Sequence, residues 1–364
     1  KQDIAKSPTY NIEAYKYYLE AKYIYDKRED MKDTEIARGL YRKSIELDDN
    51  LILAKHRLGS TYIYTGDYDK AMAICTLALK QAEELGDKLG IGRNLTSIGI
   101  VYKIKGDLEK ALEYYKKSLI IREEIEDKLG IGGNLNNIAI VYSIQGDLEK
   151  ALEYYKKSLT ILEEMGDKRG IVVVLENIGR LYEIKGDIDT GLDYYKRSLK
   201  IAEEIGSKRG IGKNLMAIGN VSTSKGDYDK GLEYFERSLV ILEKIGDKKN
   251  MGYVLYTIGF THKDKGDYDK ALDYLNQSFA IYKEIGDKSG IESILNTIGF
   301  IYRDKNVDYD KALDYFNQAL SIFEELGNKS GIGVSLGNIG LAYSDKGDYD
   351  KTLDYYNRSL AIFD

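Results

Sequence analysis

Apolar positions along this chain recur in pairs of helix-length stretches, and the pairs themselves recur. From Ile12 to Tyr25, the residues Ala14, Tyr15, Tyr18, Leu19, Ala21 and Tyr23 follow the helical period. A second stripe, Ala37, Leu40, Tyr41, Ser44 and Ile45, predicts a helix from Thr34, its candidate N-cap, to Leu47. Arg28 to Asp33 reads as the loop between them, and Asp48-Asp49-Asn50 ends the second helix. From Leu51 the pattern settles into one unit. Helix A carries Leu58-Gly59-x-x-Tyr62, a Gly66-Asp67 turn follows, and helix B carries Ala71, Cys75 and Ala78. A second corner, Gly86-Asp87-Lys88, leads to the next helix A.

The position of Ala71 recurs at Ala37, Ala111, Ala151, Gly191, Gly231, Ala271, Ala312 and Thr352, which predicts nine helical hairpins. The first spacing is 34 residues and the later ones are 40, except one of 41, where Lys305-Asn306-Val307-Asp308 replaces Lys-Gly-Asp. Gly106 to Leu119 and Gly146 to Leu159 are the same fourteen residues. The expected division is a lead-in over 1–10 and one helical array over 11–364, with a first repeat over about 11–50.

The punctuation has physical reasons. A Gly closing helix A can take the left-handed conformation that stops a helix. The Asp after it can cap helix B by accepting backbone N–H bonds. Gly99, Gly179, Gly219, Gly259 and Gly299 fall inside helix A, where each costs about 1 kcal/mol relative to Ala. Close packing on helix B would explain them. Of each Tyr114-Tyr115, Tyr154-Tyr155, Tyr194-Tyr195 and Tyr355-Tyr356 pair, one ring is expected inside and the other nearer the outer face.

At this point the repeat resembles the tetratricopeptide repeat. The resemblance rests on Leu58-Gly59-x-x-Tyr62, the small residue at Ala71 and the Tyr115 and Ser118 pair, and covers residues 11 to 364. It implies an all-α, right-handed superhelical solenoid with helices A lining the concave face. Two departures stand out. The usual proline near each repeat end is missing, with Asp49 in its place in the first repeat, as in longer-repeat members such as kinesin light chains and the Leu-Gly-Asn-rich polarity adaptors. Ser222 and His262 also replace the tyrosine found at Tyr102, Tyr142 and Tyr182, which predicts looser packing in repeats six and seven. The stretch from Ala14 to Asp48 is similar to the start of the repeat region that follows the catalytic domain in some bacterial class III adenylate or guanylate cyclases. No cyclase catalytic motif is in the chain.

Composition narrows the chemistry. Lys plus Arg number 54 against 60 Asp plus Glu, a net charge of −6, which does not favour nucleic acid or anionic lipid as partners. Pro8 is the single proline, in keeping with long helices. Cys75 is the single cysteine, which rules out an intrachain disulfide and agrees with a reducing, cytoplasmic compartment. Asn94, Asn276, Asn328 and Asn357 match the glycosylation triplet at the frequency this composition gives by chance. No apolar run is long enough to span a membrane. The first residue is Lys1 and the last, Asp364, falls inside a helical pattern, so a fragment of a longer protein is expected.

No reaction is legible. His56 and His262 are far apart in sequence, Cys75 occupies a core position, and Glu123-Glu124 and Glu163-Glu164 read as solvated surface. Asp267-x-Asp269 begins like a calcium loop, but Ala271 stands where the third ligand belongs. Gly130-Ile131-Gly132-Gly133 lacks the Gly-Lys-Ser/Thr ending of a phosphate loop. Neither a cofactor nor a metal is expected.

The resemblance places function on helix A. By it, the concave groove candidates are Arg93, Ser97, Lys103, Asn137, Asn177, Arg180, Lys213, Asn220, Tyr253, Thr257, Phe260, Lys263, Phe300, Arg303 and Asn338. Asn can grip an extended peptide backbone through its donor and acceptor, and Arg or Lys can catch acidic groups. Phe260 and Phe300, one repeat apart, would supply an apolar pocket. The expected function is a non-enzymatic protein–protein interaction module taking a peptide or protein segment. A regulatory or dimerising segment of a larger signalling enzyme, such as a cyclase, stays open. So does a scaffold that self-associates through an exposed last repeat.

Overall fold

A computed structural model describes residues 9–28, 31–306 and 308–363. Most of the lead-in, residues 1–8, lies outside that range, as do Val307 and Asp364. The chain divides into two compact units, Lys1–Ser207 and Lys208–Asp364. Unit 1 contains α1 (Ile12–Lys27), α2 (Met31–Leu47), α3 (Ile52–Thr65), α4 (Tyr68–Leu85), α5 (Lys88–Ile104), α6 (Leu108–Glu124), α7 (Lys128–Ile144), α8 (Leu148–Glu164), α9 (Lys168–Ile184) and α10 (Ile188–Glu204). Unit 2 contains α11 (Lys208–Ser224), α12 (Tyr228–Lys244), α13 (Lys248–Asp264), α14 (Tyr268–Ile285), α15 (Lys288–Asn306), α16 (Tyr309–Leu326), α17 (Lys329–Lys346) and α18 (Tyr349–Phe363). All described regular structure is helical, and the nine expected hairpins are present as odd–even pairs. One boundary is corrected. Thr34 is not a cap: α2 starts at Met31, and Thr34 is a buried residue of its first turn. The expected loop is therefore shorter, and its Glu29 and Asp30 lie outside the described residues.

The corners form as their residues require. Gly66 takes φ 82°, its N–H donates to the Ile63 carbonyl, and the Asp67 N–H reaches back to the Tyr62 carbonyl at 3.0 Å. This closes α3 with a left-handed residue. Asp107 then caps α6 by accepting from the Lys110 N–H at 3.1 Å, and Asp87 caps α5 through the Gly90 N–H at 2.9 Å. One copy breaks the rule. Glu126 stands where Gly86 and Gly166 stand, and holds φ 54° with a full side chain. Asp49, in the place of the missing proline, ties its corner down by pairing with Lys55 at 2.6 Å and accepting from Gln81.

Within a hairpin the two helices approach closely. A methyl group on Gly179 would lie 2.8 Å from the Tyr195 ring, and one on Gly191 would lie 2.9 Å from the Gly179 carbonyl oxygen. Gly219, Gly299 and Gly99 face Phe235, Phe316 and Tyr115 in the same way. Serines of helix B use this proximity. Ser118 donates to the Gly92 carbonyl, Ser158 to Gly132, Ser238 to Gly212 and Ser278 to Gly252, each at 2.7 Å. In the first three tyrosine pairs the second ring is the inner one, whereas Tyr356 in the last repeat is exposed: Tyr115 is fully buried, while Tyr114 stacks on Tyr102 with centroids 5.4 Å apart. The same stack joins Tyr142 to Tyr154 and Tyr182 to Tyr194. The expectation of looser packing is corrected at His262, whose imidazole stacks on Tyr274 at 5.7 Å and so replaces the missing ring. Ser222 brings no ring and donates instead to its own helix, at the Ile218 carbonyl.

Between hairpins the odd helices meet their own kind. α3 packs on α5, α5 on α7 and α7 on α9, and in unit 2 α11 packs on α13 and α13 on α15. Among the described residues no comparable packing joins successive even helices. Each stack therefore curves with its odd helices on the inner side.

Two outcomes test this packing. Gly179→Leu should lose about 3 kcal/mol through overpacking against Tyr195, read as a lower urea midpoint; an unchanged midpoint would refute the close approach. Glu126→Gly should gain about 1 kcal/mol by relieving the left-handed strain, and a loss of stability there would mean that the side chain contributes more than the strain costs.

Candidate functional site: the inner face of the odd helices

The structure shows where each groove candidate stands. In unit 1, Arg93 and Ser97 are on α5, Asn137 on α7, and Asn177 and Arg180 on α9. Arg180 is exposed, Arg93, Asn137 and Asn177 are half-buried, and Ser97 is buried. In unit 2, Lys213 and Asn220 are on α11, Tyr253, Thr257 and Phe260 on α13, Phe300 and Arg303 on α15, and Asn338 on α17. The candidates thus form two sets, one in each unit.

Several are already engaged across neighbouring inner helices. The Asn177 amide donates to the Asn136 side-chain oxygen at 2.9 Å. Asn338 donates to Asn296 at 3.2 Å, and Tyr256 meets Thr297 at 3.4 Å. The Ser97 hydroxyl lies 3.4 Å from Nδ1 of His56. These contacts form ladder rungs between α3 and α5 and between α7 and α9 in unit 1, and between α13 and α15 and between α15 and α17 in unit 2. Asn220 makes a different contact, donating to the Tyr253 hydroxyl at 3.4 Å. Thr257 turns back to the Val254 carbonyl of its own helix.

The two phenylalanines are each held within their own repeat. Phe260 leans on Tyr256, with Lys263 above it at 4.6 Å from the ring centroid. Phe300 packs edge-on against Phe316 at 5.1 Å, under Arg303 at 5.0 Å. Cations also differ between the units. Arg303 pairs with Asp304 at 2.7 Å and approaches Asp345 at 3.6 Å, and Lys263 pairs with Asp264 at 2.7 Å. In unit 1 no ion pair to an acid of the described residues holds Arg93. Burial pushes the Lys103 ammonium below its ordinary range.

Arg93 belongs to a pocket that the sequence reading missed. A cavity of about 300 Å³ lies among α1, α3 and α5, with Lys22, Arg57, Arg93, His56, Tyr15 and Tyr18 in its wall. Tyr15 and Tyr18 stack at 5.7 Å, and burial pushes the Tyr18 hydroxyl up while the nearby Arg57 charge opposes that shift. A signal for it was present, because stepping back forty residues from Ser97 reaches Arg57. The His56 imidazole is held down to about 3, first by burial and then by Arg93 and Arg57. The pocket's charge is therefore that of its lysine and two arginines.

Ser97 also neighbours Cys75, so His56 and Cys75 stand on either side of one hydroxyl. Burial pushes the Cys75 thiol up to about 12, while His56 is pushed down. Both shifts oppose a thiolate–imidazolium pair, so this contact lacks the electrostatics of an activated nucleophile. Asp267, at the start of the calcium-like triplet, faces Lys270 at 3.1 Å. Among the described residues no group of three His, Cys, Asp or Glu is placed to hold a metal, and no helix is long and apolar enough to cross a membrane.

The His56 shift gives a pH test. Its pKa is lower in the folded chain, so the unfolded chain takes up the proton first. Stability should fall as pH drops from about 6.5 toward about 3. His56→Gln should remove that part of the acid dependence. Equal loss of urea midpoint between pH 7 and pH 4.5 in both proteins would show that His56 does not carry it.

Comparison with known proteins agrees with this architecture. No curated protein sequence matches the chain. Among solved structures, one that resembles it is a signal-transduction ATPase with numerous domains from Pyrococcus horikoshii, which carries a tetratricopeptide repeat sensor. Identity is 18% and the TM-score 0.68 over 98% of this chain, which spans 54% of that protein's length. A Rap protein complexed with competence and sporulation factor matches at 16% identity and a TM-score of 0.63, covering 96% of this chain and 98% of its own. The apo quorum sensor NprR from B. thuringiensis matches at 14% identity and a TM-score of 0.67, covering 95% and 98%. Likeness at such identities concerns the fold alone. The tetratricopeptide repeat family profile matches residues 50–124, 131–204, 212–284 and 290–364, and the chain belongs to that family.

Proposed function

We propose that the inner face of the odd helices is a groove for an extended protein or peptide segment, and that the chain acts as a non-enzymatic interaction module. The observation that carries this reading is the contrast within unit 1. Its inner helices present Asn137, Asn177, Arg180 and Arg93 with side-chain donors still accessible, while its outer tyrosines and lysines are occupied in stacks and ion pairs. Asn177 gives one amide hydrogen to Asn136 and keeps a second donor and its oxygen for a ligand backbone. Arg180 and Arg93 would select acidic groups. Two of the structurally similar proteins support a ligand-taking role: Rap is complexed with competence and sporulation factor, and NprR is a quorum sensor. The sensor repeat of the ATPase supports a second reading, in which this stretch regulates a larger signalling protein. The groove would serve either role.

The test is a variant combining Asn137→Ala, Asn177→Ala and Arg180→Ala. Peptides selected from a displayed library on the wild-type protein should lose about tenfold to a hundredfold in affinity for it, because a few central residues dominate such interfaces. Its far-UV circular dichroism should not change. Retained affinity in the folded variant would refute the groove assignment.

A further inference from the structure

We propose that the pocket among α1, α3 and α5 binds the phosphoryl group of a phosphomonoester, with Lys22, Arg57 and Arg93 as its cation set. The proposal rests on the reading of the inner face as a ligand groove and names what its first three repeats take. Three features on these helices point to it. The cations come from three different helices, Lys22 from α1, Arg57 from α3 and Arg93 from α5, so they surround the cavity rather than line one edge. No acidic side chain is in the pocket wall, and none of the described acids forms an ion pair with these three cations. This contrasts with Arg122, Arg303 and Lys263, each held by a carboxylate. The remaining wall is aromatic and aliphatic, with the stacked rings of Tyr15 and Tyr18 beside Leu19 and Leu53.

A dianion fits this better than a carboxylate. A carboxylate offers two oxygens in one plane and a single charge, which suits one arginine fork. A phosphomonoester carries about −1.5 to −2 charge and three terminal oxygens, enough to engage cations arriving from three directions. Each guanidinium can grip two of those oxygens in parallel. His56 stays neutral, so the pocket's positive charge comes from Lys22, Arg57 and Arg93. The cavity, about 300 Å³, has room for the carbon atoms that carry the phosphoryl group as well as for the group itself. Its apolar wall would meet those carbons. The source is therefore a phosphorylated side chain or, if the carbon wall contributes nothing, free phosphate.

Titration calorimetry of the full chain with inorganic phosphate, phosphotyrosine and acetate tests the assignment. Phosphate and phosphotyrosine should each bind one site saturably, and Arg93→Gln should weaken both about tenfold, the loss expected for one charge-assisted contact. Arg57→Lys keeps the charge and a donor near Tyr18, and should weaken binding through loss of the fork while leaving the melting temperature close to wild type. Phosphotyrosine binding more tightly than phosphate assigns the site to a phosphorylated side chain; the reverse order assigns it to free phosphate. Absence of saturable phosphate binding overturns the proposal. So does unchanged affinity in a folded Arg93→Gln protein, or acetate competing as well as phosphate. The Asn137, Asn177 and Arg180 variant leaves this pocket intact. Phosphate binding retained there while library peptides are lost upholds both readings. Phosphate binding absent in wild type while peptides bind overturns the pocket alone.

Discussion

Helix A and helix B of a hairpin approach so closely that a helix A carbonyl can take a hydrogen bond from a helix B serine. Everything else follows from that separation. It requires Gly at positions such as Gly179 and Gly219, because a side chain there would enter the ring of Tyr195 or Phe235. It also requires a small residue on helix B, and where Gly191 and Gly231 stand even a methyl group would crowd the opposing carbonyl. The intrinsic helix penalty of each internal Gly is about 1 kcal/mol. It is offset by the burial of a whole aromatic ring, worth about 1.5–3 kcal/mol. Ala139 shows the limit of tolerance: in that repeat one methyl group fits against Tyr155, fully buried.

Much of this frame was legible because each of its parts is a short-range rule. Left-handed corners need Gly, caps need Asp, and core stripes follow the helical period. The sequence reading went astray where a local rule met a tertiary one. Thr34 has the chemistry of an N-cap, but it is fully buried in the first turn of α2, and the helix extends past it to Met31. His262 lacks the hydroxyl of the tyrosine it replaces, yet a flat ring is all that the stack on Tyr274 needs.

The candidate site was less legible, for a different reason. Facing the groove and being available to a ligand are separate properties, and sequence speaks only to the first. Ser97 and Asn338 stand on odd helices but are tied to His56 and Asn296, and Arg303 is tied to two aspartates. The pocket around Arg57 and Arg93 was hidden because its wall is assembled from three helices, including α1, whose shorter spacing to the next repeat breaks the forty-residue count. The two units also differ in how they treat inner-face charge. In unit 2 Arg303 and Lys263 are neutralised by neighbouring acids, whereas in unit 1 Lys22, Arg57 and Arg93 keep their charge uncompensated by any described residue.

The identity of Gly106–Leu119 and Gly146–Leu159 has a consequence for how such a chain can change length. A chain lacking residues 107–146 would offer α5 the same contact surface, with Leu148–Leu159 taking the place of Leu108–Leu119. The Ser158 hydroxyl would find the Gly92 carbonyl as Ser118 does now, and Tyr155 would fill the space beside Gly99. After Leu159 the copies diverge, first at Thr160 in the place of Ile120 and then at Leu162, which would replace Arg122 beside Gly92. Loss or gain of one whole copy thus keeps the helix A to helix B packing of this hairpin, while it moves the inner-face residues on either side by one step. The length and residue pattern of the inner face can then be altered in a single recombination event.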